Sequence, residues 1–115
     1  MGTVHQIEAL EQNMKDAKHV LRLKKSLDAA MRNPDFQLVI EKEYFTEEAR
    51  RLVQSKSAPH MQTPEKQLYL DNLIMGIGAL QQFFNKINSM APEAERALDE
   101  DQNTHAELLE EEANV

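Results

Sequence analysis

The strongest constraint on the fold is a run of apolar residues between positions 70 and 91 that recurs in alternating steps of three and four. Its members are Leu70, Leu73, Ile77, Leu80, Phe84, Ile87 and Ala91. Such spacing places the side chains on one stripe of an α-helix and approaches the heptad seam of a coiled coil. A second row runs beside it in steps of seven and comprises Tyr69, Gly76, Phe83 and Met90. The apolar face is therefore wider than one two-stranded seam needs, which indicates packing into a bundle or against two neighbours.

Two helix-start signals divide the rest of the chain. Asn33-Pro34-Asp35 and Thr63-Pro64-Glu65 each join a capping side chain, a proline at the first helical position and an acid in the first turn. Together with the apolar spacing, they predict a single helical domain over 1–115. Its segments are a helix over 4–32, a helical segment over 34–56, a linker over 57–63, a core heptad helix over 64–91, and an acidic helix or tail over 92–115.

Local signals refine this outline. Pro92 lacks the N–H that a helix interior needs, so it should kink the chain or restart a helix there. Thr46-Glu47-Glu48 is typical of another helix start, whose inward side chains should be Ala49, Leu52 and Val53. The segment before it should carry on one face Phe36, Val39, Ile40 and Tyr44. The pattern leaves open whether Tyr44-Phe45 forms a kink or a loop.

Composition and charge favour an all-α protein. Strong helix formers dominate, Gly and Pro number only three and four, and cysteine is absent. We therefore expect long helices in a helical hairpin or bundle with coiled-coil-like packing. Residues 1–60 carry ten Lys/Arg against nine Asp/Glu, whereas residues 61–115 carry three against eleven, which together give the net charge of −7. No basic residue follows Arg96, so the chain should end in an acidic segment that repels nucleic acid.

The sequence also bears on where the chain resides. Without cysteine it lacks a disulfide framework and a thiolate metal site. It shows no apolar leader typical of secretion and no run of about 18 apolar residues that would span a membrane. We expect a cytoplasmic protein, or one in the virion or host cytoplasm if the chain is viral, and no membrane partner.

No residue pattern predicts catalysis, a metal or a cofactor. None of the histidines has a partner at metal-ligand spacing; they are His5, His19, His60 and His105. Gly76-Ile77-Gly78 resembles a phosphate loop only superficially, because it lies inside the heptad pattern and not after a strand. Each glycine destabilises a helix by about 1 kcal/mol relative to Ala, so a compensating gain is expected. Gly76 and Gly78 are therefore predicted to allow close packing of another helix, with a hinge as the alternative.

A basic stripe follows one face of the first helix. It comprises Lys15, Lys18, Arg22, Lys25 and Arg32. Such a row is typical of a solvated helix face, and it also fits an electrostatic docking site. The complementary acids would be Asp99, Glu100, Asp101, Glu107, Glu110, Glu111 and Glu112, from this chain or a neighbour. Aromatic residues do not interleave with the stripe, so nucleic acid is not the expected partner.

The order of short motifs along residues 33–112 resembles a known family. The motifs are Asn33-Pro34-Asp35-Phe36, Tyr44-Phe45, Glu48-Ala49-Arg50-Arg51-Leu52-Val53, Met61-Gln62-Thr63-Pro64-Glu65, Ile77-Gly78, Gln82-Phe83-Phe84 and Leu108-Leu109-Glu110-Glu111-Glu112. Together they are similar to small acidic helical proteins encoded among the head and portal genes of tailed bacteriophages. The resemblance implies a role in the virion or its assembly, with other virion proteins as possible partners. It brings no catalytic residues.

Three function classes are compatible with these observations. The first is a non-enzymatic structural or assembly protein, a homo-oligomer whose interface is formed by Leu70, Leu73, Ile77, Leu80, Phe83, Phe84 and Ile87. The second is an acidic regulatory binder that mimics nucleic acid and occupies a basic groove on a host or viral protein. An enzyme ranks last, because nothing in the sequence predicts a perturbed carboxyl or histidine in a pocket.

Overall fold

The computed structural model describes residues 2–114, and every regular element in that range is a helix. Helix α1 covers Gly2–Met31 and helix α4 covers Pro64–Ala113. Between them lie α2 (Pro34–Phe36), a π-helix (Gln37–Glu48), α3 (Ala49–Lys56) and a 3-10 helix (Pro59–Met61). The all-α prediction is confirmed.

Both start signals lie where helices begin. The Asn33 side-chain oxygen accepts hydrogen bonds from the backbone N–H groups of Asp35 at 2.8 Å and Phe36 at 3.2 Å. The Thr63 hydroxyl oxygen accepts one from the backbone N–H of Lys66 at 3.3 Å. These bonds satisfy donors that a helix leaves unpaired in its first turn, which is why both helices start at the proline that follows the cap.

The predicted boundary at Pro92 is absent. Helix α4 runs through this proline as one helix of 50 residues. A proline inside a helix removes one hydrogen bond and costs about 3 kcal/mol. Ala91 and Ala94, on either side of it, are both buried. The packing of these flanking residues holds the helix together across the proline, so the acidic segment continues α4 and is not a separate element.

The chain packs as two compact units. One unit combines the residues up to Ser26 with those from Ile87 onward, and the other comprises Leu27–Lys86. Helices α1 and α4 each contribute to both units. The prediction of a single domain therefore stays a prediction.

In the first unit, α1 runs antiparallel to the second part of α4. The Lys24 ammonium donates a hydrogen bond to the Asn88 side-chain oxygen at 2.8 Å. The Glu11 carboxylate, closer to the start of α1, lies 3.1 Å from Nε2 of His105, which is closer to the end of α4. The two contacts together show that the helices run in opposite directions. Ala17 is buried on the inward side of α1. This unit is thus a helical pair that meets through small and aliphatic side chains.

The core of the second unit forms where α3 meets the first part of α4. Its buried members are Leu52, Leu70 and Ile77, and partly buried residues pack around them, namely Tyr44, Phe45, Ala49, Met61 and Ile74. The Lys56 ammonium pairs with the Asp71 carboxylate at the edge of this core. Two predicted inward residues are not part of it, because Val39 and Val53 are each 58% exposed.

The π-helix explains why the pattern misplaced Val39, whereas Val53 lies in the α-helix that follows. Its backbone hydrogen bonds reach five residues back, so successive side chains turn through a smaller angle than in an α-helix. Thr46 does not start a helix but lies inside this one, where its hydroxyl donates to the Glu41 carbonyl oxygen, five residues back, at 3.0 Å. Tyr44 and Phe45 also lie inside it, so the segment is neither a loop nor a helix end. An analysis that assumes an α-helical period assigns such residues to the wrong faces.

The π-helical geometry lets the rings of Phe36 and Phe45 both contact the ring of Phe84. The ring centroid of Phe84 in α4 lies 6.1 Å from that of Phe36 and 5.8 Å from that of Phe45. The Tyr44 ring contacts Phe45 at 5.9 Å. Aromatic pairs at these separations add stabilisation beyond the area they bury. The cluster fixes the π-helix against α4.

Candidate interaction surface on helix α4

The predicted interface on α4 divides into a covered and an uncovered part. Leu70, Ile77 and Ile87 are only 3%, 4% and 7% exposed, so the chain itself covers them. Leu80 and Phe84 are partly buried. Leu73 and Phe83 remain exposed, at 38% and 52%. Leu70, Ile77 and Ile87 are covered by other helices of the same chain, and the interface on α4 as a whole stays a prediction.

The exposed large apolar side chains in the first part of α4 define a second surface, which we call the α4 apolar face. It comprises Leu68, Tyr69, Leu73, Met75 and Phe83. At about 100° per residue, these side chains share roughly half of the helix circumference. Tyr69 and Phe83 lie on one line along it, seven positions on either side of the exposed Gly76. A contiguous apolar face of this kind is typical of a surface that a partner covers.

The stretch of α4 that carries this face is almost free of charge. The chain as a whole is 29% charged, but between Gln67 and Asn85 the only charged residue is Asp71. Its carboxylate is engaged by the Lys56 ammonium within the same unit. A helix face kept in water normally carries charged residues. This stretch therefore differs from a solvated face in composition as well as in exposure.

The two helical glycines do not serve close packing within the chain. A Cβ atom added at Gly76 or at Gly78 would meet nothing within 4 Å. No other helix among residues 2–114 approaches these positions, so close helix packing at Gly76 and Gly78 stays a prediction. Gly76 instead leaves a flat place in the middle of the α4 apolar face, between Tyr69 and Phe83.

Within residues 2–114, the predicted basic and acidic docking residues do not pair with one another. Lys15, Lys18, Arg22 and Lys25 are exposed on α1, and Arg32 is exposed just after it. No hydrogen bond or ion pair among residues 2–114 joins any of them to the acids predicted as their complement. Those acids, Asp99, Asp101, Glu107 and Glu110, lie in the last part of α4.

Arg96 is the last cation before the acidic end of α4, and it pairs along its own helix. Its guanidinium bonds the Glu93 carboxylate and, at 2.7 Å, the Glu100 carboxylate. These bonds, the one to Glu93 first, raise the pKa of Arg96. Arg96 is therefore engaged with nearby acids, and the carboxylates beyond Glu100 have no Lys or Arg after them in the sequence.

The described residues offer no arrangement suited to holding a metal ion. Within residues 2–114, no three histidine or acidic side chains come together for that purpose. No polar or charged residue in this range is buried. His5 lies 3.9 Å from the Glu8 carboxylate, and both side chains are well exposed. Of the helices in this range, none combines the length and the apolar character needed to cross a membrane.

Fold and surface together define a class: an all-α protein whose longest helix carries an exposed, nearly uncharged apolar face. Compared with protein-family models, with curated proteins and with solved structures, the chain matches none.

Two members of the α4 apolar face were missed by the sequence analysis. Leu68 and Met75 do not belong to the row of threes and fours or to the row of sevens, and they are 61% and 64% exposed. Periodicity cannot identify them, because it identifies the residues that a helix buries. The scarcity of charge between positions 67 and 85 is the signal that could have identified them.

Proposed function

We propose that this chain is a non-enzymatic assembly protein that self-associates through the α4 apolar face. The observation that carries the proposal is the exposure of five large apolar side chains on a stretch of helix with one charged residue. Fully burying a side chain of this size is worth about 1.5–3 kcal/mol. The half-exposed ring of Phe83 and the more exposed Tyr69 would contribute most.

A second copy is the partner that the arrangement of residues favours. Tyr69 and Phe83 lie at equal distances along the helix from Gly76. If two α4 helices cross antiparallel with a twofold axis at Gly76, Tyr69 of each copy faces Phe83 of the other. Such a contact is self-complementary, as twofold interfaces must be. The missing side chain at Gly76 lets the helix axes approach at the crossing point, so the rings on both sides can pack.

The resemblance to tailed-phage proteins suggests the setting for this association. It supports a role as a virion or morphogenesis component, with other virion proteins as further partners. Self-association through a helix face suits such a role, because repeated copies of one chain build a structure without catalysis.

The alternative is an acidic regulatory binder that inhibits a nucleic-acid-binding protein. It is favoured by one observation at the end of α4. Glu107, Glu110 and Glu111 border the same surface depression, and all three lie on a regular helix that sets the spacing of their backbone positions. Removal of residues 99–115 separates the two functions. The assembly should survive this truncation, whereas binding to a basic partner should be lost.

Sedimentation velocity across a range of concentrations tests self-association. The wild-type chain should shift from monomer to oligomer as concentration rises. Phe83→Asp should weaken this association about tenfold or more, because the interface would bury a charge without a partner. Val53→Asp is the matched control, since Val53 is 58% exposed in the same unit but lies on α3. A wild-type chain that stays strictly monomeric at high micromolar concentration contradicts the proposal.

A further inference from the structure

A row of cations on α1 pairs with no acid among residues 2–114. Lys15, Lys18, Arg22 and Lys25 follow one another in steps of three, four and three, and all four are exposed. No hydrogen bond or ion pair in the described part of the chain engages their side chains. They form a basic ridge about 15 Å long at 1.5 Å per residue. We call these four residues the α1 basic ridge.

The ridge lies on the flank and the outer side of α1 relative to the α4 segment against which α1 packs. Ala17 marks the inward side of α1, since it is buried. At about 100° per residue, Lys15 and Arg22 lie roughly 160° and 140° from Ala17, and Lys18 and Lys25 roughly 100° and 80° from it. All four side chains are exposed, and none pairs with an acid of α4 within residues 2–114. The ridge is therefore accessible to another molecule.

The chain also carries a surface of opposite charge and matching spacing. Glu107 and Glu111 are four positions apart on the exposed side of α4, as Lys18 and Arg22 are on α1. Residues four apart on a helix lie on one face, about 6 Å apart along the axis. Two such helices laid side by side can therefore form both pairs at once. The end of α4 holds seven acids after Arg96 and no Lys or Arg.

We propose that the α1 basic ridge receives the acidic end of α4 from a second copy of the chain. The contact joins two different surfaces, so each copy can give its α4 end to one neighbour and accept the end of another. A contact of this type closes into a ring or continues as a filament. It is independent of the α4 apolar face, and either contact can form without the other.

Electrostatic attraction between exposed groups falls steeply with ionic strength, because screening acts over about 10 Å at 0.1 M salt. The proposed contact should therefore form at low salt and dissolve at about 1 M salt. An apolar contact through Phe83 and its neighbours should persist or strengthen under the same change.

The test compares charge-reversed variants in the Phe83→Asp background, where association through the α4 apolar face is weakened, by sedimentation at low salt. Lys18→Glu with Arg22→Glu should weaken the remaining association about tenfold or more. Glu107→Lys with Glu111→Lys should do the same. Mixing these two variants should restore association, since each then carries the surface complementary to the other. Lys42→Glu with Lys86→Glu is the control of equal net charge, and it should leave association unchanged.

Several outcomes overturn the proposal. The proposal is wrong if Lys18→Glu with Arg22→Glu associates as well as the Phe83→Asp chain does. It is also wrong if the two charge-reversed variants stay monomeric when mixed although circular dichroism shows that both are helical. A third contradicting outcome is that the chain does not self-associate through the α1 basic ridge but binds duplex DNA, and that Lys18→Glu with Arg22→Glu abolishes the DNA binding. If a reversed variant does not fold, the salt dependence of the Phe83→Asp chain decides. Association that is unchanged between low and 1 M salt contradicts the proposed contact.

Discussion

The ring of Phe45 lies on the same side of its helix as the ring of Phe36, nine positions earlier in the chain. Both rings contact Phe84, at 5.8 and 6.1 Å between centroids. In an α-helix, nine residues turn through about 900°, which places the two side chains on opposite faces. In a π-helix of roughly 4.4 residues per turn, the same nine residues complete about two turns. The contact with Phe84 and the π geometry of residues 37–48 therefore depend on each other.

Phe84→Ala should destabilise the second unit. The substitution removes the ring that both Phe36 and Phe45 contact, and it should lower the free energy of unfolding by about 2–4 kcal/mol. Backbone amides of residues 37–48 should exchange with solvent faster than in the wild type, because the π-helix loses its anchor. Urea unfolding and amide hydrogen exchange measure the two effects. Phe83→Ala is the control and should change stability by less than about 1 kcal/mol, since its ring is half exposed.

Alanine substitutions at the two glycines should separate stability from association. Gly76→Ala and Gly78→Ala should each stabilise the chain by up to about 1 kcal/mol, because Ala favours a helix and the added Cβ has free space. Only Gly76→Ala should also weaken self-association, since Gly76 lies on the helix face of Tyr69 and Phe83 whereas Gly78 lies roughly 160° away from it. Thermal unfolding at low concentration and sedimentation at high concentration distinguish the effects. Equal association in both variants would rule out a close crossing at Gly76.

Pro92→Ala should stabilise the chain. The substitution supplies the missing backbone donor and removes the clash of the ring with the preceding turn, for a gain of up to about 3 kcal/mol. Urea unfolding monitored by circular dichroism measures the change. A loss of stability would mean that the proline ring makes packing contacts worth more than the hydrogen bond it removes.

The carboxyl group of Glu47 should titrate at unusually low pH. The Arg50 guanidinium donates a hydrogen bond to it at 2.6 Å, and this bond lowers the pKa of Glu47. A lowered pKa means that the pair contributes to stability above the ordinary glutamate pKa and ceases to contribute as pH falls through the lowered value. NMR titration should show Arg50→Ala returning the pKa of Glu47 towards its ordinary value. Arg51→Ala should shift it less, because Arg51 contributes only a smaller charge interaction.

Sequence reasoning succeeded where local chemistry decides the structure. The caps at Asn33 and Thr63 correctly predict where helices begin. A capping side chain accepts a hydrogen bond from a backbone N–H of the first helical turn, and this local interaction does not depend on the rest of the fold. It failed at Val39, whose face depends on a π-helical turn that no α-helical period contains, and at Val53, which lies exposed on α3. Of the two outcomes expected at Pro92, a kink or a restart, the restart does not occur, since α4 continues through the proline and Ala91 and Ala94 beside it are buried.

The same distinction applies to the candidate surface. The row of Leu70, Ile77 and Ile87 was correctly identified as apolar, but periodicity does not say whether the cover comes from the same chain or from another. That question is decided by which elements fold back on α4. The exposed part of the surface includes Leu68 and Met75, and it can be identified only from the structure, which shows which side of α4 the other helices leave uncovered.

The absence of buried polar residues between positions 2 and 114 sets how the molecule should respond to acid. Protonation of a carboxylate of residues 2–114 therefore takes place at the surface and leaves no charge stranded inside. Acid should leave each subunit folded while it removes negative charge from the exterior. Contacts between copies that rely on charge should then be lost before the helices unfold.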